Sequence, residues 1–230
     1  NTLFRLASMT KPITAIAALI LVERGLLSLS DKVADYLPEY KDVPITQISD
    51  ANEIIDLGKA QNDITICHLL THTSGIGSDA AKSQKMTDED KKSIANTIEF
   101  YAKAGLDFEP GTKQKYSGTG AFDVLVKIIE NITKTDYLYF LQQEIFEPCE
   151  MVNTTFIPTG EQWKQIIAMH NKIDGNNSVA KMKENCIFYD YPCMHYLGGA
   201  GLVSTLNDYS KFAKMLLNNG KTPKKQILSE

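Results

Sequence analysis

Ser8-Met9-Thr10-Lys11, continuing into Pro12-Ile13-Thr14-Ala15-Ile16-Ala17-Ala18-Leu19-Ile20-Leu21-Val22, is the stretch that decides the fold of this 230-residue chain. The run after Lys11 is apolar on nearly every face, the pattern of a helix buried at the centre of a protein rather than laid along its surface. Pro12 suits the first turn, where a missing N–H is no loss, and Gly25, after Glu23-Arg24, suits the stop. Residues three apart lie on one helical face, so a serine at the head of this helix has a lysine amine within reach. Serine is a weak nucleophile without an adjacent base, and lysine serves as that base only where its surroundings favour the neutral amine. The helix amino terminus adds free N–H groups and a positive dipole end, both suited to a developing oxyanion. Ser8 is therefore the candidate nucleophile and Lys11 its candidate base. The competing reading is a serine that only caps the helix.

A second tetrad of the same form, Ser178-Val179-Ala180-Lys181, follows the turn-forming stretch Asp174-Gly175-Asn176-Asn177. With 13 serines and 22 lysines in the chain, about one such tetrad arises by chance, so context separates the two. The next element is Tyr116-Ser117-Gly118, delivered by the turn signal Glu109-Pro110-Gly111-Thr112.

Ser8-x-x-Lys11 followed by a Tyr-Ser pair resembles the serine β-lactamase and penicillin-binding-protein superfamily, and within it the class C β-lactamase-like branch that includes esterases and D-amino-acid peptidases. Phe4-Arg5-Leu6-Ala7-Ser8-Met9-Thr10-Lys11-Pro12 is similar to that branch's nucleophile segment. Ile66-Cys67-His68-Leu69-Leu70-Thr71-His72-Thr73-Ser74-Gly75 is similar to its LLTHTSG signature. Ile145-Phe146-Glu147-Pro148 and Gly198-Gly199-Ala200-Gly201-Leu202-Val203-Ser204-Thr205 match further blocks in family order.

The resemblance implies an α+β, β-lactamase/transpeptidase-like fold, represented mostly by its helical domain. Residues 1–30 carry the nucleophile helix of the α/β part, 31–197 a mainly helical domain with the Tyr motif, and 198–230 the return to the α/β part. It implies hydrolysis of an ester or amide through an acyl-enzyme, as in a carboxylesterase, β-lactamase or D-amino-acid peptidase, on a small-molecule ester, β-lactam or peptide. Ser8, Lys11 and Tyr116 are then catalytic: Tyr116 passes a proton to the leaving group and later activates water. Gly118 and Gly199 border the substrate, with the Gly198–Gly201 block letting backbone come close. No cofactor or metal is implied.

Two departures matter. The usual Tyr-x-Asn has Gly118 in the Asn place, with no side chain to hold the lysine or a substrate amide, which leaves room for ester and peptide substrates. The Lys/His-Thr-Gly strand of the family is not found, and Lys221-Thr222-Pro223 does not replace it because proline has no N–H to give. The chain thus resembles an internal piece whose main antiparallel sheet lies largely outside it. The expectations that follow are a central helix short of a burying partner, a missing oxyanion donor and weak catalysis by the chain alone. Both departures also raise the alternative of a non-catalytic or penicillin-recognising binding module.

Composition is that of a globular protein, with 43% hydrophobic and 23% charged residues. A net charge of −4 without a basic stripe argues against nucleic-acid binding. The longest apolar run, Pro12–Val22, is too short to span a bilayer. No signal peptide is visible, and both a cytoplasmic and an exported bacterial protein fit the resemblance; oligomeric state is not legible. Cys67, Cys149, Cys186 and Cys193 show no C-x-x-C pair and read as free, buried thiols. Cys186, Cys193 and His195 lack a fourth ligand at a metal-binding spacing, and His68 and His72, at i and i+4, lack the glutamate of H-E-x-x-H, so packing is the better reading of each.

Elsewhere, Ser30-Asp31 reads as the cap of a short helix over 32–36 that Pro38 ends. Val43–Ile48 and Ile54–Ile66 read as a hairpin and Cys67–His72 as a short helix. Thr87-x-x-Asp90 reads as a capping box for a helix to Ala104, before a loop over 105–116. Helices are expected over 119–131 and 135–146, two strands within 166–182, and a helix from Thr205-x-x-Asp208 to Leu217.

Overall fold

The computed structural model describes residues 2–173, 176–179 and 195–229, with 171–173 and 176–179 described by their backbone alone. The core forms where two apolar helices meet. Helix α1, Thr10–Glu23, packs against α6, Gly120–Thr133. Ile13, Ala17 and Leu21 of α1 and Val124, Leu125, Ile128 and Ile129 of α6 have no measurable exposure. Such a side chain contributes about 1.5–3 kcal/mol by leaving water. Helix α1 is buried on most of its faces, but Pro12 is exposed and Ala15, Leu19 and Val22, on the same stripe, are only partly buried against the core, as expected of a helix short of one burying partner. Helices α3, Ile66–Leu70, and α5, Ile94–Ala104, close over α6 from its other sides.

Sheet structure among the described residues is three antiparallel pairs. Strands β1, Phe4–Arg5, and β6, Val203–Ser204, pair Phe4 with Ser204 and Arg5 with Val203. That pairing, extended by the Leu6 amide to the Leu202 carbonyl at 2.8 Å, carries the Gly198–Gly201 block onto the head of α1. Strands β2, Pro44–Ile48, and β3, Ile54–Lys59, form a hairpin that ends well before Ile66. Strands β4, His170–Ile173, and β5, Asn176–Val179, pair around 174–175. None of the helices among the described residues is long and apolar enough to cross a membrane.

Several local readings shift. Ser8 lies in a 3-10 turn, Ala7–Met9, that feeds α1. Helix α2, Val33–Tyr36, is not capped by Ser30-Asp31: the Asp31 carboxylate instead accepts the Ser28 amide and the Tyr36 hydroxyl. Pro38 opens a 3-10 turn, Pro38–Tyr40, instead of only ending a helix. Thr87 and Asp90 do make the reciprocal bonds of a capping box, but they close a turn; α5 starts seven residues later, on the Ser93 cap. The 135–146 segment divides into α7, Tyr137–Leu141, and a π-helical turn, Gln142–Phe146. The shorter helices α4, Ala80–Ser83, and α8, Gly160–Gln165, sit between these elements, and α9, Leu206–Leu217, starts on the Thr205 cap as expected. Cys149 is buried, whereas Cys67 is exposed, because its position on α3 faces away from the apolar Ile66–Leu69 side. Cys186 and Cys193 lie outside the described residues.

Candidate active site

Two adjoining segments and a third about a hundred residues away in sequence meet at the head of α1. The 3-10 turn presents Ser8 to solvent, α1 carries Lys11 beneath it, and the loop before α6 brings Tyr116 over it. The Tyr116 hydroxyl donates to Ser8 Oγ at 2.6 Å, and Lys11 Nζ lies 3.4 Å from the same oxygen. Ala7, just before Ser8, has φ +46°, in the left-handed region.

Lys11 is only 6% exposed, and what satisfies it is backbone. Nζ donates to the Gly118 carbonyl at 2.5 Å and the Gly199 carbonyl at 2.9 Å. It also stands 4.8 Å from the Tyr116 ring centre and 5.5 Å from that of Phe122, which favours a cation there. Gly118 has no side chain for the lysine, and its carbonyl does that work. Gly199 must be glycine for space: a Cβ would fall 2.8 Å from Thr119 Cα and 2.9 Å from the Gly118 carbonyl oxygen. Thr14, one turn below Lys11, donates to the Gly198 carbonyl at 2.8 Å and accepts from the Tyr137 hydroxyl at 2.8 Å; with Lys11 on the Gly199 carbonyl, the glycine block is tied to α1 at two points.

Burial acts to raise the Tyr116 phenol, but the Lys11 and Ser8 hydrogen bonds and the Lys11 charge outweigh it, and its pKa lies below the usual tyrosine value. Asp123, in the first turn of α6, is fully buried, and burial pushes its carboxyl up to about 8 against the pull of the Gly199 and Gly198 amides, the Lys11 charge and the Thr119 hydroxyl. Those amides influence the carboxyl, yet neither of its oxygens closes a hydrogen bond of good geometry, so the group is best described as neutral and held by proximity. A cavity of about 480 Å³ opens beside the centre, bounded by Met86, Tyr101, Tyr116, Gly118, Thr119 and Leu197, with Asp123 also in its wall.

Ser8, Lys11, Tyr116, Gly118 and Gly199 thus come together. Ser178 is described by its backbone alone, and Lys181 lies outside the described residues. His68 and His72 do not share a ligand: each Nδ1 accepts a backbone amide, from Thr65 at 3.2 Å and from Ser117 at 3.1 Å respectively. The described residues contain no cluster fit to hold a metal ion. Two site residues escaped the sequence reading. His72 had a signal in the Thr71-His72-Thr73 segment, and Asp123 had one as the single charge within Ala121–Val126.

The family model described as Beta-lactamase matches residues 1–230. The N-acetylmuramyl-L-alanine amidase of Bacillus subtilis is 30% identical over 238 residues, covering 96% of this chain and 51% of that protein. The LovD9 mutant of simvastatin synthase from Aspergillus terreus superposes with a TM-score of 0.76 at 27% identity, covering 99% of this chain and 55% of that one. EstCE1, a hydrolase with promiscuous acyltransferase activity, shares the fold with a TM-score of 0.76 at 24% identity, covering 98% of this chain and 61% of its own. The chain spans about half the length of the curated relatives it matches. A serine, lysine and tyrosine converging on one oxygen, in a β-lactamase/transpeptidase-like fold matched from end to end, place this chain in the beta-lactamase family.

Proposed function

We propose that this chain carries the acylation centre of a serine hydrolase that acts on an ester or amide through a covalent acyl-enzyme. The observation that carries the reading is the single oxygen, Ser8 Oγ, approached by both the Tyr116 hydroxyl and Lys11 Nζ. With Lys11 neutral, the direction of those bonds reverses and the serine proton passes to the amine, directly or through the phenol. Oγ then bonds to the substrate carbonyl carbon, and the carbonyl pair moves onto oxygen, facing the Ser8 amide at the head of the helix. Collapse of that intermediate breaks the bond to the leaving group, which takes a proton from Tyr116. The Tyr116 phenolate then takes a proton from water, the hydroxide oxygen bonds to the acyl carbon, and the acyl–Oγ bond breaks as Lys11 returns the proton to Ser8, releasing the acid. Gly118 and Gly199 border the substrate while their carbonyls hold the lysine. Small esters, β-lactams and peptides are the substrate classes in view.

The test is intact mass after exposure to a fluorophosphonate and, separately, to a penicillin, with peptide mapping. An adduct on the Ser8 peptide that disappears in Ser8→Ala supports the reading; no adduct, or one on the Ser178 peptide, overturns it. A second reading, a penicillin-recognising module, is favoured by the absence of a side chain at Gly118. It predicts an adduct that forms on Ser8 and is not released.

A further inference from the structure

His72 adopts φ +59°, a left-handed backbone that a non-glycine residue seldom takes. The turn aims its ring at the site. Its centroid lies 4.7 Å from that of Tyr116 and 5.5 Å from that of Phe122. Nδ1 accepts the amide of Ser117, the residue after Tyr116, at 3.1 Å, and the His72 carbonyl accepts the amide of Lys115, the residue before it, at 3.0 Å. Tyr116 is itself half exposed, with little packing of its own to set its ring. His72 therefore grips the chain on both sides of the tyrosine and covers one face of its ring.

We propose that His72 is a positioning residue for the acylation reaction, its neutral imidazole fixing the Tyr116 phenol over Ser8, and that proton uptake by this ring releases the phenol and switches the centre off in acid. The inference rests on the functional reading above. An Nδ1 that accepts an amide hydrogen cannot also carry a proton, so protonation must break the Ser117 bond. It would also place a second cation beside the Lys11 ammonium. The charged and titratable groups around the ring are Lys11 from α1 and Tyr116 from the loop, with Phe122 presenting an apolar face from α6. Burial first, and the Lys11 charge second, hold the imidazole below the usual histidine value, so it is neutral near pH 7.

The experiment is the rate of Ser8 labelling by a fluorophosphonate as a function of pH, alongside the NMR titration of the His72 C2 proton in the same protein. The acid limb of the labelling rate is expected to coincide with the His72 midpoint. His72→Asn keeps an amide acceptor, suits the left-handed backbone and never ionises. It is expected to label within about tenfold of the parent near pH 8 and to lose the acid limb. His72→Phe keeps a ring on Tyr116 but strands the Ser117 amide, and its rate is expected to fall more than tenfold at every pH. His68→Gln, whose ring caps α3 away from Ser8, should leave the limb in place. An acid limb unmoved in His72→Asn, a His72 midpoint more than one pH unit from the limb, or a limb that follows His68 overturns the inference alone. A parent that never labels at Ser8 overturns the functional reading and the inference with it.

Discussion

Lys11 and Lys82 are both buried, at 6% and 3% exposure, and the protein treats them in opposite ways. Lys82, on α4, meets the Asp107 carboxylate at 2.6 Å and donates to the Thr46 and Leu106 carbonyls at 3.0 and 3.1 Å. Asp107 in turn accepts the Ser78 amide and hydroxyl at 2.9 and 2.6 Å. The pair ties α4 to the hairpin of β2 and β3 and to the loop that leads toward Tyr116. Lys11 is also held by two carbonyls, but its other contacts are the Ser8 hydroxyl, the Tyr116 phenol and the Tyr116 and Phe122 rings, and the nearby acid, Asp123, is not hydrogen-bonded to it. A neutral amine keeps two N–H groups for the Gly118 and Gly199 carbonyls, weaker donors than those of an ammonium, so a proton can leave Lys11 without stranding a buried carboxylate. At Lys82 it cannot. A lysine that fastens and a lysine that exchanges a proton are thus distinguished by the charge of their acceptors, not by their burial.

The contrast is sharpest in paired substitutions. Lys11→Met should slow fluorophosphonate labelling of Ser8 by about 10²–10⁴-fold, the usual worth of a proton-transfer group. Its cost in urea denaturation should stay near 1–3 kcal/mol, for the two carbonyls left short of a donor. Lys82→Met should do the reverse, losing about 3–5 kcal/mol of stability because Asp107 is left charged and buried alone. The folded fraction should label at the parental rate. If Lys82→Met slows labelling more than Lys11→Met does, the distinction fails.

Asp123→Asn probes the uncharged acid near Lys11. Its folded value of about 8 exceeds the ordinary 3.8, so between those values the folded chain keeps a proton that the unfolded chain has lost. Stability contributed by that proton is full below about pH 4 and falls as pH rises towards 8, by at most about 1.4 kcal/mol per unit. The depressed His68, His72 and His195 give parent and Asp123→Asn a common slope of the opposite sign, so chemical denaturation from pH 5 to 8 should show the parent losing stability relative to Asp123→Asn as pH rises. A parent that gains relative to Asp123→Asn over the interval would mean that Asp123 is ionised and paired. The smallest effect is expected at Thr14→Val, which removes one donor from the Gly198 carbonyl and one acceptor from Tyr137. A loss of about 1–2 kcal/mol in denaturation, with labelling slowed less than tenfold, would fit a tie beneath the site.

The juxtaposition of Ser8, Lys11 and Tyr116 was legible because those residues are written in side-chain letters at fixed spacing. Ser8 and Lys11 share one helical face, and Tyr116 follows a Pro-Gly turn. Helix α1 was legible as an unbroken apolar run, α6 from its apolar periodicity, and α9 because periodicity and the Thr205 cap agree. What held Lys11 was not legible, since a backbone carbonyl has no letter of its own, and Gly118 reads as a loss until its carbonyl is seen on the ammonium. The Lys82–Asp107 pair was missed for a related reason. It joins residues 25 apart through a turn and a helix, and nothing local to either residue announces the other. The Thr87–Asp90 box shows the limit of a correct local motif: its bonds form, yet tertiary packing starts the helix later, at Ser93.

The left-handed φ of Ala7 has a consequence for anyone seeking a hardier variant of this protein. A non-glycine residue held there costs about 1–3 kcal/mol, so Ala7→Gly is the substitution a stability screen would favour. Glycine would also widen the range of directions in which the next residue can point, and that residue is Ser8. Robustness and reactivity draw on the same peptide, and selection for one at this position works against the other.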